Sequence, residues 1–391
     1  MCACPFRRAA PIQFCGQSTD GSTVTVLVPD SDGAAPSQAF ARHQALPSSD
    51  LEMVLDASAD DLSRFRGGRM LLTGATGFVG SWLLDTLLYA DSRLDLDLDV
   101  RVVVRDVARL APHLREDRRV KPVLGDVRTF TTTGHFDAVV HGAASSSAAR
   151  GSRDAEAMTM VTTILDGTHR ALEAAAPSGS IPFLFISSGA VYGPRAPHSG
   201  AIAEDSTTGP PVGDPGSGYA EAKRMAEVMC NVAADQGGAG CTTARCFSFL
   251  GPRLPLDAHF AAGNFVGDVL GGRPVRVLGD GTTVRSYLHA ADLAVWLWRI
   301  LGHGEPGRAY NVGSEHGLST LEVARLAADL LSPEHPVEVL GLQDEQHSPG
   351  NPHYVPSTAR ARHELGLQET ISASDGLGRM FRWYRAMTGT Q

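Results

Sequence analysis

Met70-Leu-Leu-Thr-Gly-Ala-Thr-Gly-Phe-Val-Gly-Ser81 is an apolar run that breaks into three glycines, spaced G-x-x-G-x-x-G, and resumes as an amphipathic segment. A buried strand, a tight turn and a helix N-terminus suit that order of residues. Gly74, Gly77 and Gly80 allow the backbone to turn sharply and to approach a pyrophosphate. The helix that follows offers unpaired N–H groups and the positive end of its dipole to the same anion. Gly80 also lets that helix pack close to the sheet. A glycine triplet alone is a weak signal, but at the head of a strand–turn–helix unit it predicts a dinucleotide-binding loop.

Outward from this loop, strand-like and helix-like runs alternate. Strands are expected at Met70–Thr73, Val100–Arg105, Val120–Leu124, Ala138–His141, Phe183–Ser187 and Thr242–Phe247, and helices at Phe78–Ala90, Ala155–Ala176 and Tyr219–Asp235. This alternation implies a parallel sheet covered on both faces. The right-handed crossover rule makes it an α/β, Rossmann-type doubly wound fold. Past residue 250 the order loosens, with helices over 290–301 and 319–332 and short strands at Val275–Leu278 and Ala309–Val312. The expected organisation is a leader over 1–66, a nucleotide-binding domain with the catalytic residues over 67–250, and a smaller substrate-binding lobe over 251–391. Some segments of that lobe are expected to return to the first domain. The leader is read as mostly irregular, with one strand-like run at Ser22–Val28 and a short helix near 50–65, and as adding little to the core.

Composition narrows the function classes. The 391 residues are 43% hydrophobic and 20% charged, which suits a globular protein with a sizeable core. The balance of 34 basic against 43 acidic residues gives a net charge of −9, unlike a nucleic-acid binder. No apolar stretch is long enough to span a membrane. The first residues lack the apolar core of a secretory signal. Six cysteines are too sparse for a disulfide scaffold, so a reducing cytoplasm is expected. Cys2, Cys4 and Cys15 in the leader read as ordinary thiols. The fourteen histidines show no metal-ligand spacing, so no metal is predicted. His141, at a strand end, reads as structural, and Trp296 and Trp298, in an apolar helix, as core or interface.

Several residues address the cofactor. The second strand ends in Arg105-Asp106. An arginine there can pair with a 2′-phosphate, favouring NADP(H); alternatively Arg105 stacks on adenine and Asp106 takes the ribose of NAD. Asp126, in Gly125-Asp126-Val127, could meet the adenine amino group. The small residues of His141-Gly-Ala-Ala144 leave room for the cofactor.

The chemistry rests on three side chains. In Tyr219-Ala-Glu-Ala-Lys223 the phenol and the ammonium fall on one helix face. The ammonium would stabilise the phenolate, letting Tyr219 act as an acid or base near neutral pH. Phe185-Ile-Ser-Ser188 ends a buried strand in hydroxyls at the sheet edge where ligands bind in such folds. Ser188 there would hydrogen-bond the reacting oxygen and share its proton with Tyr219.

In order along residues 68–385, TGATGFVG, GDV, HGAA, SSGAVYG, YAEAK, ARCFSFLGP, GDGTTVRSYLHAADLA and YNVGSE resemble the extended short-chain dehydrogenase/reductase superfamily, and within it the sugar-nucleotide epimerase/dehydratase family. The resemblance implies Ser188, Tyr219 and Lys223 as the catalytic set. Cofactor contacts would be Gly74, Thr76, Gly77, Phe78, Val79, Arg105, Asp126, Val127, Ala143, Tyr219 and Lys223. Substrate contacts would be Ser188, Ser248, Asn264 and Arg285, the last on a diphosphate. Asp257, His259 and Asn264 open a helix that should border the substrate, where capping is their other possible role. Dehydrating members usually carry Asp-Glu directly after the catalytic hydroxyl. Here those positions are Gly189 and Ala190, and the remaining pattern looks most like the 4-epimerases. Ile164 and Ser248 stand where relatives often have asparagine. The implied activity is 4-epimerisation of a nucleotide sugar through a transient keto sugar, with tightly bound NADP or NAD. The other readings are an NADPH-dependent keto-sugar reductase, a dehydratase with atypical acid/base residues, and a non-catalytic NAD(P)-binding protein. A homodimer built on Ala155–Ala176 and Tyr219–Asp235 is also implied.

Overall fold

The computed structural model describes residues 41, 44–144, 155–194, 200–258, 260–341 and 352–388. Cys2, Cys4, Cys15, the strand-like run Ser22–Val28 and His259 lie outside these residues.

The seven strands of the main sheet are β1 (Arg69–Thr73), β2 (Asp99–Val104), β3 (Val120–Leu124), β4 (Ala138–His141), β5 (Pro182–Ser188), β6 (Gly240–Cys246) and β8 (Ala309–Val312). They pair in parallel in the order β8-β6-β5-β4-β1-β2-β3. The central strands are short, branched and apolar on both faces: every residue of Ala138-Val-Val-His141 is buried. This is what helices on both sides of a sheet require. The order reverses between β1 and β4, and the crevice at their C-terminal ends is where this topology binds ligands.

Helix α2 (Phe78–Leu94) leaves the glycine loop. Helices α3 (Ala155–Ala175) and α4 (Gly218–Asp235) pack together and against β4, β5 and β6. Register then sets the site. Thr73 on β1 pairs with His141 on β4, and Ser188 on β5 pairs with Cys246 on β6, so these four side chains stand at one end of the sheet.

Beyond β6 lie α5 (Ala261–Leu270), β7 (Val284–Ser286), α6 (Ala290–His303), β9 (Gly317–Ser319), β10 (His353–Tyr354) and α7 (Ala373–Thr388). A small sheet orders β9-β7-β10, with Tyr354 registered beside Arg285. Phe265, Val266, Val323, Leu377 and Tyr384 gather in a second apolar cluster around α5 and α7. Trp296 and Trp298 are buried on α6, and their indole N–H groups donate to the Gln368 carbonyl at 3.2 Å and to Thr86 Oγ1 at 3.0 Å.

The end of the leader corrects the expectation that it adds little to the core. Helix α1 (Ser48–Ser63) packs on α2 and α6 and buries Val54 and Leu62, joined in the same cluster by Leu46 and Phe65. Its buried carboxylates are matched by side chains from distant elements: Asp50 by Arg379 at 2.5 Å, and Asp61 by Arg299 at 2.8 Å and His303 at 2.9 Å. Composition suggested a loose segment. The amphipathic face found its partner only once α6 was in place.

Candidate active site

The glycine loop is held by backbone contact that side chains would forbid. Gly74 has φ +81°, and a Cβ there would lie 2.6 Å from the Gly142 carbonyl carbon. A Cβ on Gly80 would strike the Gly74 carbonyl oxygen and lie 2.8 Å from the Ala75 Cα. Gly80 therefore closes the helix onto its own loop rather than onto the sheet. Gly77 is the N-cap of α2 and has no side chain to occupy the helix's first N–H groups. The result is a backbone-lined cradle with a positive dipole end, which fits a pyrophosphate. Thr76, Phe78 and Val79 flank it on the loop and the first turn of α2.

Opposite this loop, the turn after β4 is fastened by one hydroxyl. Thr73 Oγ1 accepts from the N–H of Gly142 and of Ala143, each at 3.2 Å, and contacts His141 Nδ1 at 2.7 Å. With both lone pairs occupied, the hydroxyl donates to Nδ1. The imidazole proton therefore sits on Nε2 and is given to Thr168 Oγ1 at 3.1 Å, while Thr168 donates to the Ile164 carbonyl at 2.7 Å. Burial pushes His141 down to about 3, so it is a neutral structural strut for the loop.

At the adenosine end, Arg105 is exposed where β2 ends. Asp106 accepts from Ala108 N at 2.9 Å and so caps the next turn. Asp126 is turned onto Arg128 at 2.8 and 3.0 Å, and that guanidinium holds its carboxyl below the usual range. Val127 is buried against the bare Cα of Gly167.

Ser188, Tyr219 and Lys223 come together at the ends of β5 and α4. The Ser188 hydroxyl accepts from Ala190 N at 3.2 Å, capping the turn Gly189–Tyr192, and faces the Tyr219 phenol. Lys223 is buried; its ammonium donates to the Ile186 carbonyl at 2.7 Å and sits 4.8 Å over the Phe185 ring. The electrostatics differ from the expectation of an ammonium bonded to a phenolate. Burial raises the Tyr219 phenol above its ordinary value and pushes Lys223 down to about 8. Desolvation is the largest effect on both groups. Cys246, pushed up to about 12 by burial, faces Lys223 as a neutral thiol. Cys230, Cys241 and Cys246 are free, buried thiols.

Behind the catalytic strand lies a polar network that sequence patterning gave no reason to expect. Ser187 donates to Glu227 at 2.5 Å, Arg245 meets both Glu227 oxygens at 2.7 to 3.1 Å, and Arg245 also donates to the Tyr192 hydroxyl at 2.9 Å. Tyr192 donates to Asn311 at 2.7 Å. This network ties the ends of β5, β6 and β8 to α4, so Ser188 and Tyr219 share a rigid frame.

Arg285, on β7, places its guanidinium 5.4 Å over the ring of Tyr354. The Tyr354 hydroxyl stands over Gly189, next to Ser188, where a Cβ on the glycine would lie 2.5 Å from it. Tyr354 was absent from the sequence reading. It lies far along the chain in no recognisable motif, and only the pairing of β10 with β7 brings it here. Ser248 stands between β6 and β7, its carbonyl accepting from Leu288 N at 3.1 Å. Asn264 lies half-buried in α5, whose N-cap position is Phe260. Among the described residues no group of His, Cys, Asp and Glu is arranged to hold a metal ion, and no helix is long and apolar enough to cross a membrane.

The model of the NAD dependent epimerase/dehydratase family matches residues 70–313. The chain is similar to the dTDP-glucose 4,6-dehydratase of Streptomyces griseus, 28% identical over 322 residues, which are 81% of this chain and 93% of that protein. Among solved structures it resembles a double mutant of DesIV, a dTDP-glucose 4,6-dehydratase from Streptomyces venezuelae with NAD bound, at 28% identity and a TM-score of 0.68 over 81% of this chain and 97% of that one. A UDP-glucose 4-epimerase from Thermotoga maritima, 20% identical with a TM-score of 0.68, covers 82% of this chain and 99% of its own and shares the fold.

Proposed function

The chain belongs to the NAD dependent epimerase/dehydratase family, and from that premise we propose that it is a nucleotide-sugar 4-epimerase. The carrying observation is the pair that follows the catalytic hydroxyl. Gly189 and Ala190 have no titratable group, and a Cβ on Gly189 would lie 2.5 Å from the Tyr354 hydroxyl and 2.8 Å from Phe247 Cζ. There is neither an acid/base pair to remove water from the sugar nor space for one at residue 189.

The cradle built by Gly74, Gly77 and Gly80, with Thr76, Phe78 and Val79 beside it, fits the pyrophosphate of a nicotinamide dinucleotide. Val127 and Ala143 border the groove, and Asp126 stands at its adenine end. A nicotinamide bound there would supply a reversible acceptor for the hydride of the sugar carbon. The protein's own part is to move and hold a proton. Tyr219 accepts the proton of the sugar C4 hydroxyl, and Ser188 hydrogen-bonds that oxygen as it becomes a carbonyl. Lys223, fixed by Ile186, supplies positive charge beneath the phenol and reaches toward the cofactor. Arg285, with Ser248 and Asn264, holds the nucleotide end of the substrate. Tyr219 returns its proton after the keto sugar has presented its other face, so no net redox change results.

Arg105 supports a preference for NADP(H): it is exposed at the end of β2, whereas the neighbouring Asp106 is engaged as a cap. That observation also supports the second reading, an NADPH-dependent keto-sugar reductase. The exposed Met158, Met225, Val228 and Val232 on the paired helices α3 and α4 support a homodimer through those faces. The buried free thiols support a reducing cytoplasm.

The test incubates the purified chain with UDP-, dTDP-, CDP- and GDP-sugars and follows products by NMR. Epimer formation without consumption of added cofactor is expected. A 4-keto-6-deoxy product would overturn the epimerase reading in favour of dehydration, and stoichiometric NADPH oxidation would establish the reductase.

A further inference from the structure

Helix α4 is stitched to β5 by two side chains on one of its faces. Lys223 Nζ donates to the Ile186 carbonyl at 2.7 Å, and Glu227, one turn further on, accepts from Ser187 Oγ at 2.5 Å. Ile186 and Ser187 are consecutive and lead into Ser188, so the grip falls on the strand end that carries the catalytic hydroxyl. Tyr219 stands in the first turn of the same helix.

Glu227 is buried, and its charge is met from β6, where Arg245 reaches both of its oxygens at 2.7 to 3.1 Å. The guanidinium is itself fixed, donating to the Tyr192 hydroxyl at 2.9 Å and to the Glu204 carbonyl at 3.0 Å. Apolar side chains join a helix to a strand without the cost of taking a carboxylate out of water. What the carboxylate supplies, and they cannot, is negative charge on the Lys223 face of the helix.

The other groups around Lys223 supply none. Cys246 of β6 is a neutral thiol, and Cys241 together with burial keeps Cys230 of α4 protonated. His141 of β4 is a neutral imidazole, burial raises the Tyr219 phenol, and Phe185 of β5 offers only its ring, 4.8 Å from Nζ. Burial pushes the ammonium down to about 8, and Glu227 is the carboxylate that acts against that burial.

We propose that Glu227 is a positioning residue of the reacting centre and the counter-ion of Lys223: it holds α4 to the Ser188 strand through Ser187 and keeps the lysine charge in place beside Tyr219, while Arg245 sets how much of the carboxylate's charge the lysine feels. This deepens the proposed function and rests on Tyr219 and Lys223 being its proton-handling pair. No proton leaves Glu227 in the reaction.

The sequence contains two lysines, Lys121 and Lys223, so Lys121→Arg, on the exposed strand β3, leaves one. The experiment titrates the full chain in that background with isotope-labelled lysine, following the Cε signal by NMR, and needs no substrate. Glu227→Gln, Arg245→Met and the double variant are compared with the parent, and circular dichroism checks each fold. Glu227→Gln still accepts from Ser187 but removes the anion and leaves Arg245 uncompensated. Its Lys223 step is expected to fall by about one pH unit, tenfold in acid dissociation. Arg245→Met frees the carboxylate for the ammonium, and the step is expected to rise by a similar amount. With both charges removed the step is expected to return close to the parent. Loosened packing alone would let water reach the lysine and raise the step in every variant. A rise in Glu227→Gln, a step unmoved in both single variants, or a shift of one sign in both would therefore overturn the counter-ion. Such a failure would leave the epimerase reading to its own product assay, and a 4-keto-6-deoxy product there would leave the counter-ion standing.

Discussion

The neutral imidazole of His141 makes a prediction with a calculable size. The unfolded chain takes a proton on histidine near 6.5, whereas the buried ring resists it down to about 3. Between those values the unfolded state binds more protons than the folded one, so stability falls as pH drops through that window. From pH 7 to pH 5 the loss is about 1.5 pH units of differential protonation at ~1.36 kcal/mol each, or about 2 kcal/mol for this residue. Its side chain is 1% exposed, so solvent screening takes little from this figure. The perturbation is His141→Asn, whose amide oxygen can still accept from Thr73 but cannot titrate. The assay is urea unfolding followed by circular dichroism at pH 7, 6 and 5. The variant loses the stacking on Phe185, at 5.8 Å between centroids, and is expected to be weaker at pH 7. Its stability should nevertheless change by about 2 kcal/mol less than wild type between pH 7 and 5. Asp50 and Asp292, raised by burial, push the other way on acidification, but equally in both proteins, and cancel in the difference. Identical pH slopes for wild type and variant would refute a neutral His141 and the hydrogen-bond direction derived for Thr73.

Three further outcomes are expected. Gly80→Ala forces a methyl against the Gly74 backbone, which cannot swing aside; a stability loss of about 1–3 kcal/mol in urea unfolding is expected, with cofactor affinity weakened at least about tenfold by calorimetry, since the cradle must open. Arg105→Ala is expected to weaken NADP+ binding about 10- to 100-fold, the value of one charged hydrogen-bonding partner, with NAD+ binding nearly unchanged; parallel losses for both would remove the 2′-phosphate role. Val228→Asp, on the exposed face of α4, is expected to shift the chain from dimer to monomer in light scattering after size exclusion, and a monomeric wild type would contradict the homodimer through α3 and α4.

The sequence was most informative where the physics is local. Three glycines between a strand and a helix can be read without a partner, because the turn, the dipole and the close approach are all properties of neighbouring residues. Tyr219 and Lys223 were legible for the same reason: four residues on a helix is one turn. The parallel, two-sided character of the main sheet followed from alternation and handedness, whereas the place of Ala309–Val312 at its edge did not. The amphipathic face of α1 was visible in outline, but what it would bury against was not.

What tertiary structure alone decided lies in the contacts between segments far apart in the chain. The sequence supplied Ser188 and Tyr219 as hydroxyls, but their third neighbour, Tyr354, enters through the register of a two-residue strand beside Arg285. Likewise His141 could be called structural from its position. Its tautomer needed Thr73 across the β1–β4 pairing and Thr168 on α3. A lysine one turn from a phenol suggested a lowered phenol pKa, and burial reversed that. Desolvation depends on everything packed around a group, which no local spacing records, whereas the geometry of a turn depends only on the residues that make it.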